Sequence, residues 1–168
     1  MTNVTRILGL DPGLRRTGWG VVAVAGARLA WVAHGVITPP TTAPFAERLR
    51  VLFEGLEAVI AEHRPHEAAV EETFVNSNAL SALKLGHARA AALIAPARAG
   101  LAVAEYAPTV VKKALVGAGG ADKTQVAFMV RRLLPACGEA SADCADALAV
   151  AITHANTRRV SARVGARA

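Results

Sequence analysis

The sequence predicts a single α/β domain built on a mixed sheet with helices on its faces. Three observations lead there. At 168 residues the chain is long enough to bury one real core. Its hydrophobic content of 53% is rich in alanine while aromatics contribute only 4%, which favours close-packed helices over an aromatic-rich β sandwich. The order of apolar alternation and helical periodicity reads βββαβαβ followed by further helices, which is the element order of an α/β fold.

Each element follows from its residues. "RILGLDPG" is a short apolar strand ending on Asp11 and closed by a Pro-Gly turn. "GWGVVAVAG" and "RLAWVAHGVIT" are β-branched and aromatic enough for two more strands, and short Gly-containing connections suggest an antiparallel meander. "TPPTTAP" breaks the chain. From Phe45 to His63, the spacing of Leu49, Leu52, Phe53, Leu56, Val59 and Ile60 predicts a helix that Pro65 stops. "EAAVEE" is a compact fourth strand, followed by a helix over residues 78–100 and a fifth strand, "LAVAEY". Two helices, "TVVKKALVG" and "KTQVAFMVRRLL", flank the loop "GAGGAD", and a last helix runs from about Ser141 to the Asn156 region. Residues 1–157 are expected to form the one domain and the basic residues 158–168 a flexible tail.

Charge is uneven. The formal net charge is +6, and residues 112–168 hold nine Lys/Arg against four acids, whereas residues 1–111 hold ten against nine. A basic final third suits a polyanion such as nucleic acid, and equally a solubilising surface. Cys137 and Cys144 match no metal or redox spacing and read as reduced structural thiols. No uncharged apolar run approaches the roughly 18 residues of a membrane span; the stretch from Ala90 to Ala97 is broken by Pro96. The first strand begins without a charged n-region or cleavage site, so a cytoplasmic protein is expected.

Strand ends and helix starts are where an α/β sheet collects its chemistry. Asp11 closes the first strand and Glu71 the fourth, while Asp143 and Asp146 open the last helix at i, i+3 spacing, on one face. Singly, each has a plain structural explanation. Asp11 could shape a turn, Glu71 could be a surface residue, and the two aspartates could complement the helix dipole for about 0.3–1 kcal/mol each. Ser141 or Asp143 could cap the helix. Together they point elsewhere, because four clustered carboxylates repel one another unless a cation or shifted pKa values relieve them. Hard oxygen ligands suit Mg²⁺ or Mn²⁺. Two such ions about 3.5–4 Å apart can activate a water and stabilise the leaving oxygen of a phosphodiester displacement.

Five blocks, "ILGLDPGLRRTGWGVV", "AVEETF", "SALKLGHARA", "EYAPTVVKKALVGAGGADKTQV" and "ADCADALAVAITH", occur in order and cover nearly the whole chain. In these blocks the sequence resembles the RuvC-type Holliday junction resolvases, nucleases of the ribonuclease-H-like fold. The resemblance implies a mixed five-stranded sheet, three antiparallel strands then two parallel, with helices on both faces. It implies a structure-specific DNA endonuclease of recombination and repair that nicks four-way junctions in a paired, symmetric, metal-dependent way. By matching motif Asp11, Glu71, Asp143 and Asp146 are the catalytic, metal-binding residues, serving Mg²⁺ or Mn²⁺ with two ions per site. Some relatives carry His at the position of Asp143, so here no imidazole base stands there. Phe74 matches an aromatic suited to stacking on an unpaired base near the crossover, or else is a core residue at a strand end. Lys112 and Lys123 match basic positions near the active site, and Lys84 and Lys113 are further candidates for DNA contact.

The resemblance also implies a homodimer and a partnership with a branch-migration helicase complex of the RuvA and RuvB type. The helix carrying "SALKLGHARAAAL" belongs to that dimer interface, where Ala88, Ala90, Ala91 and Ala92 would permit close approach. His87 reads as a packing or dimer residue there. His154, two turns beyond Asp146, is too far along the helix to share a ligand site. The nearest rival is a nuclease of the same fold acting on structured RNA such as ribosomal RNA precursors. It shares the D-x-G turn, but the "SALKLGHARA" block and the Asp143/Asp146 pair favour the resolvase. An actin-like kinase lobe would need a second lobe that 168 residues cannot supply. A non-catalytic junction-binding protein would not be expected to keep four acids.

Overall fold

A computed structural model of the chain describes residues 4–72 and 78–165, with side chains as far as residue 158. Phe74, the residue expected to stack on a base, lies outside the described residues. Five strands form one sheet: β1 (Thr5–Asp11), β2 (Thr17–Ala25), β3 (Arg28–Ile37), β4 (Glu67–Glu71) and β5 (Ala102–Tyr106). Their spatial order is β3-β2-β1-β4-β5. The first three strands pair antiparallel, and β4 and β5 join parallel to β1 and to each other. Helices α1 (Phe45–His63) and α2 (Ala79–Arg98) cover one face; α3 (Pro108–Val116), α4 (Lys123–Leu133) and α5 (Ala142–Gly165) cover the other. This is the ribonuclease-H-like mixed sheet that the sequence predicts.

The central position of β1 explains its composition. Ile7 packs into the core under α5, and Leu8 and Leu10 into the core under α1 and α2, so the strand is apolar without clear alternation. β2 and β3 are joined by a tight turn in which Gly26 takes φ +59°, a conformation a side chain rarely tolerates. Arg64 ends α1 in the left-handed region at φ 46°, one residue before Pro65.

The site depends most on how α5 meets the sheet. β1 and β2 present Gly9, Gly18 and Gly20 to it. A Cβ at Gly9 would run into the Ala147 carbonyl oxygen and lie 2.6 Å from the Ala151 amide nitrogen; one at Gly18 would strike the Asp143 carbonyl. One at Gly20 would lie 2.6 Å from Leu148 Cδ2. The helix answers with Ala147 and Ala151, both fully buried, while Leu148 and Ile152 fill the core beside them. Ser141 caps the start, its Oγ accepting from the Cys144 amide at 3.4 Å. Farther along, Glu67 on β4 accepts from Arg158 at 2.8 Å and lies 2.9 Å from His154 Nε2, whose Nδ1 meets the Tyr106 hydroxyl at 2.8 Å. Helix α5 runs to Gly165, past the Asn156 region where its sequence pattern suggests an end.

Helix α2 corrects one expectation. Ala88, Ala91 and Ala92 are buried within the chain rather than facing outward. The face that α2 leaves open carries Leu80, Leu83, His87, Ala90 and Ile94, all exposed. His87 holds its Nδ1 2.7 Å from the Leu83 carbonyl and sits edge-on to Phe45.

Gly9→Ala should cost about 1–3 kcal/mol or more in urea denaturation, because rigid backbone atoms must move. Gly86→Ala, where a Cβ meets open space, should stabilise α2 by up to about 1 kcal/mol. A neutral Gly9→Ala would show that the helix does not rest on the sheet as described.

Candidate active site

Because β1 and β4 are adjacent and parallel, their C-terminal ends lie side by side, with Leu10 paired to Val70. Asp11 and Glu71 follow at those ends and line one pocket, near enough to shift each other's ionisation. Asp146, in the first turns of α5, comes down onto the same pocket. Lys112 from α3 and Lys123 from α4 complete the rim, over a floor that includes Val111, Val126 and Ala149. The turn after Asp11 is shaped by other groups. The Thr17 hydroxyl, itself buried, donates to the Gly13 carbonyl at 2.8 Å and accepts from the Gly13 amide at 3.2 Å. The Asp11 side chain is thereby left to the pocket.

Lys123 is placed by local chemistry. Asp122 accepts from the Gln125 amide and Gln125 returns the bond, a capping box that starts α4 at Lys123. The Lys123 ammonium donates to Asp146 Oδ2 at 2.8 Å. Asp143 does not line this pocket. Its Oδ2 takes a 2.6 Å bond from Arg16 Nε and faces a neighbouring groove lined by Arg15, Arg16, Arg48 and Lys84, with Gly13 and Ser81. Arg48 anchors one wall, donating to the Leu14 carbonyl at 3.0 Å, while its Nε is buried without a partner. Lys84 thus lies beside the site, as do Arg15 and Arg16, which the sequence reading did not single out. The signal was present as the "RR" directly after the Asp11 turn. Lys113 is exposed on α3 and lines neither cavity.

The electrostatics are strained. Burial first, then the charges of Glu71, Asp146 and Asp143, push the Asp11 carboxyl from 3.8 to about 8, against the pull of Lys123. Burial and Asp146 raise Glu71 from 4.5 to about 7; Lys123, the bond from Asp11 and Lys112 oppose the rise. Lys123 is raised, chiefly by its bond to Asp146. The pocket therefore holds protons and a lysine where it could hold divalent cations. Its oxygen-only donors are of the type Mg²⁺ and Mn²⁺ take. Among the described residues no three such side chains stand ready-made as a ligand cluster. Two of the four carboxylates are engaged by basic side chains, Asp146 by Lys123 and Asp143 by Arg16.

The family model for Crossover junction endodeoxyribonuclease RuvC matches residues 7–154. The chain belongs to the RuvC family. It is 71% identical over 160 residues to the crossover junction endodeoxyribonuclease RuvC of Caulobacter vibrioides, covering 95% of both chains. The RuvC of Maricaulis maris is 63% identical over 156 residues, covering 93% of each chain. Among solved structures, T. thermophilus RuvC in complex with a Holliday junction substrate superposes with a TM-score of 0.86 at 38% identity, covering 94% of this chain and 96% of that one. The matched span contains all four carboxylates singled out from the sequence.

The raised carboxyls predict a pH dependence. An unfolded chain ionises Asp11 near 3.8, but the folded one keeps its proton to about 8, so the folded state binds more protons between those values. Stability contributed by this site should fall as pH rises through that window. In EDTA, the melting temperature of Asp11→Asn should exceed that of the unaltered chain by more at pH 8 than at pH 5. Mg²⁺ should narrow the difference, because cation binding expels the protons. A gap independent of pH would refute the assignment.

Proposed function

We propose that the pocket between β1, β4 and α5 is the catalytic centre, with Asp11, Glu71, Asp143 and Asp146 as its cation-binding carboxylates. As a RuvC-family member the chain is a structure-specific, metal-dependent DNA endonuclease that resolves Holliday junctions. The observation carrying the finer reading is the convergence of three of these carboxylates with Lys112 and Lys123 in one pocket, beside a groove lined by four cationic side chains. Mg²⁺ or Mn²⁺, two per site, would supply water activation and stabilisation of the leaving oxygen.

The chain's own residues do the rest. Arg15, Arg16, Arg48 and Lys84 attract and orient the sugar-phosphate backbone in the groove. Asp11, Glu71 and Asp146, each on a rigid element, would hold the cations together with Asp143. Lys112 and Lys123 offset negative charge where the phosphate enters. The reading includes action within the cytoplasm, on the nucleoid. Among the described residues no helix is long and apolar enough to cross a membrane.

The exposed stripe on α2 supports a homodimer. Leu80, Leu83, His87, Ala90 and Ile94 recur at alternating three- and four-residue steps, the spacing of one helical face. A second copy packing on it would place two catalytic pockets on one junction, as paired symmetric nicking requires. Partnership with a branch-migration complex of the RuvA and RuvB type is part of the same proposal and rests on the family resemblance.

Two experiments test this. With Mg²⁺ or Mn²⁺ the protein should nick a synthetic four-way junction in symmetric pairs, and leave linear duplex and structured RNA intact. Asp146→Asn should abolish cleavage while junction binding survives. Comparable cleavage of RNA or plain duplex would overturn the assignment. Separately, Leu83→Glu should convert a dimer into monomers by size-exclusion chromatography with light scattering, uncoupling the two nicks. An unaltered mass would move the interface off α2.

A further inference from the structure

Asp143 is the one proposed ligand that faces away from the carboxylate pocket, and Arg16 is what holds it. The Arg16 Nε–Asp143 Oδ2 bond is 2.6 Å long, with the two side chains 53% and 31% exposed. Both residues line the groove that also holds Arg15, Arg48 and Lys84, and neither lines the pocket of Asp11, Glu71 and Asp146. We propose that Arg16 is a positioning residue: it holds Asp143 out of the cation site until a DNA phosphate in the groove takes the guanidinium and frees the carboxylate to turn inward. This rests on reading the pocket as the cation site.

Geometry limits how Asp143 can respond. Its carbonyl lies against Gly18, where not even a Cβ fits, so the backbone at the start of α5 is pinned. Only the side chain can swing. Asp143 and Asp146 share a helix face at i, i+3, which keeps the pocket within reach of a rotamer change. The charge of Asp143 already acts on Asp11.

The strength of the pair suits an exchange. A solvent-exposed ion pair contributes little, so it biases Asp143 without locking it. A phosphate offers Arg16 fork-shaped recognition where Asp143 takes one bond from Nε, and the surrounding Arg15, Arg48 and Lys84 favour its arrival. Completion of the cation site would thus be coupled to occupation of the groove by DNA. Cation affinity and DNA affinity would each raise the other, as linkage requires.

Isothermal titration of Mn²⁺ into the DNA-free protein tests the restraint. Arg16→Ala should bind Mn²⁺ about two- to fivefold more tightly, the range expected for removing an exposed ion pair. Arg15→Ala, which removes the same charge from the same turn without touching Asp143, should change affinity less. In an Asp143→Asn background the effect of Arg16→Ala should vanish. Unchanged affinity in Arg16→Ala, an equal gain in Arg15→Ala, or a gain that persists in Asp143→Asn would each overturn the proposal. The exchange is tested in Asp146→Asn protein, where a four-way junction can be added with Mn²⁺ without turnover. The junction should raise Mn²⁺ affinity more when Arg16 is present than in Asp146→Asn/Arg16→Ala, and equal gains would overturn it. Failure of the functional reading registers separately, as a lack of junction cleavage by the unaltered protein.

Discussion

The arrangement hangs on one contact: α5 lies directly on the glycines of β1 and β2. Gly9, Gly18 and Gly20 remove side chains where the helix comes closest to the sheet, and Ala147 and Ala151 remove bulk from the helix itself. Backbone rests on side-chain-free backbone, so the helix cannot slide or tilt without a clash. The consequence is positional. Asp146 meets Asp11 and Glu71 because the first turns of α5 are held at the height where β1 and β4 end. The far end of the helix is held as well, by Glu67 engaging His154 and Arg158, with Tyr106 closing on the His154 ring.

That rigidity forces an electrostatic conflict that the protein alone does not resolve. Burial penalises the charges of Asp11 and Glu71, and their neighbours repel them, so both carboxyls hold protons far above the usual carboxylate range. The same features suit a cation site, because the carboxylates need no rearrangement of the main chain to receive an ion. What must give way are protons and flexible basic side chains. Lys123, with its side chain 76% exposed, is tied to the pocket by its contact with Asp146. A long exposed side chain can leave at small cost.

Much of this was legible in the sequence. The strands showed themselves by β-branched runs between glycine turns, and the positions of Asp11 and Glu71 followed from being the last residues of theirs. The pairing of Asp143 with Asp146 on one face followed from helical spacing alone. Their divergence did not, because it depends on Arg16, distant in sequence and brought near by the β1–β2 turn. The alanines of α2 show the same limit. Periodicity marks small residues on a helix, but only packing decides which face is inside: Ala92 joins the core with α1 and the sheet, and Ala88 and Ala91 are buried as well. The extension of α5 was hidden for a similar reason. The partner that Arg158 finds there is Glu67, on a strand far from it in sequence.

Lys123 runs against a local preference. It opens α4, where the helix dipole favours negative charge; a cation in the first turn forgoes that favourable term and is opposed by about 0.3–1 kcal/mol. No hydrophobic contact is needed to explain it, since the side chain is mostly in solvent. The capping box of Asp122 and Gln125 supplies the helix start that Lys123 weakens, at about the same magnitude. Local disagreement of this kind, offset by an adjacent device, is expected where a residue is retained for a site rather than for the fold. By the same reasoning Arg16 stands in a turn whose shape is already set by Thr17 and Gly13, and does not need to be arginine for the turn to form. Both cations are supported by structure that does not require them, and both end on an aspartate of α5.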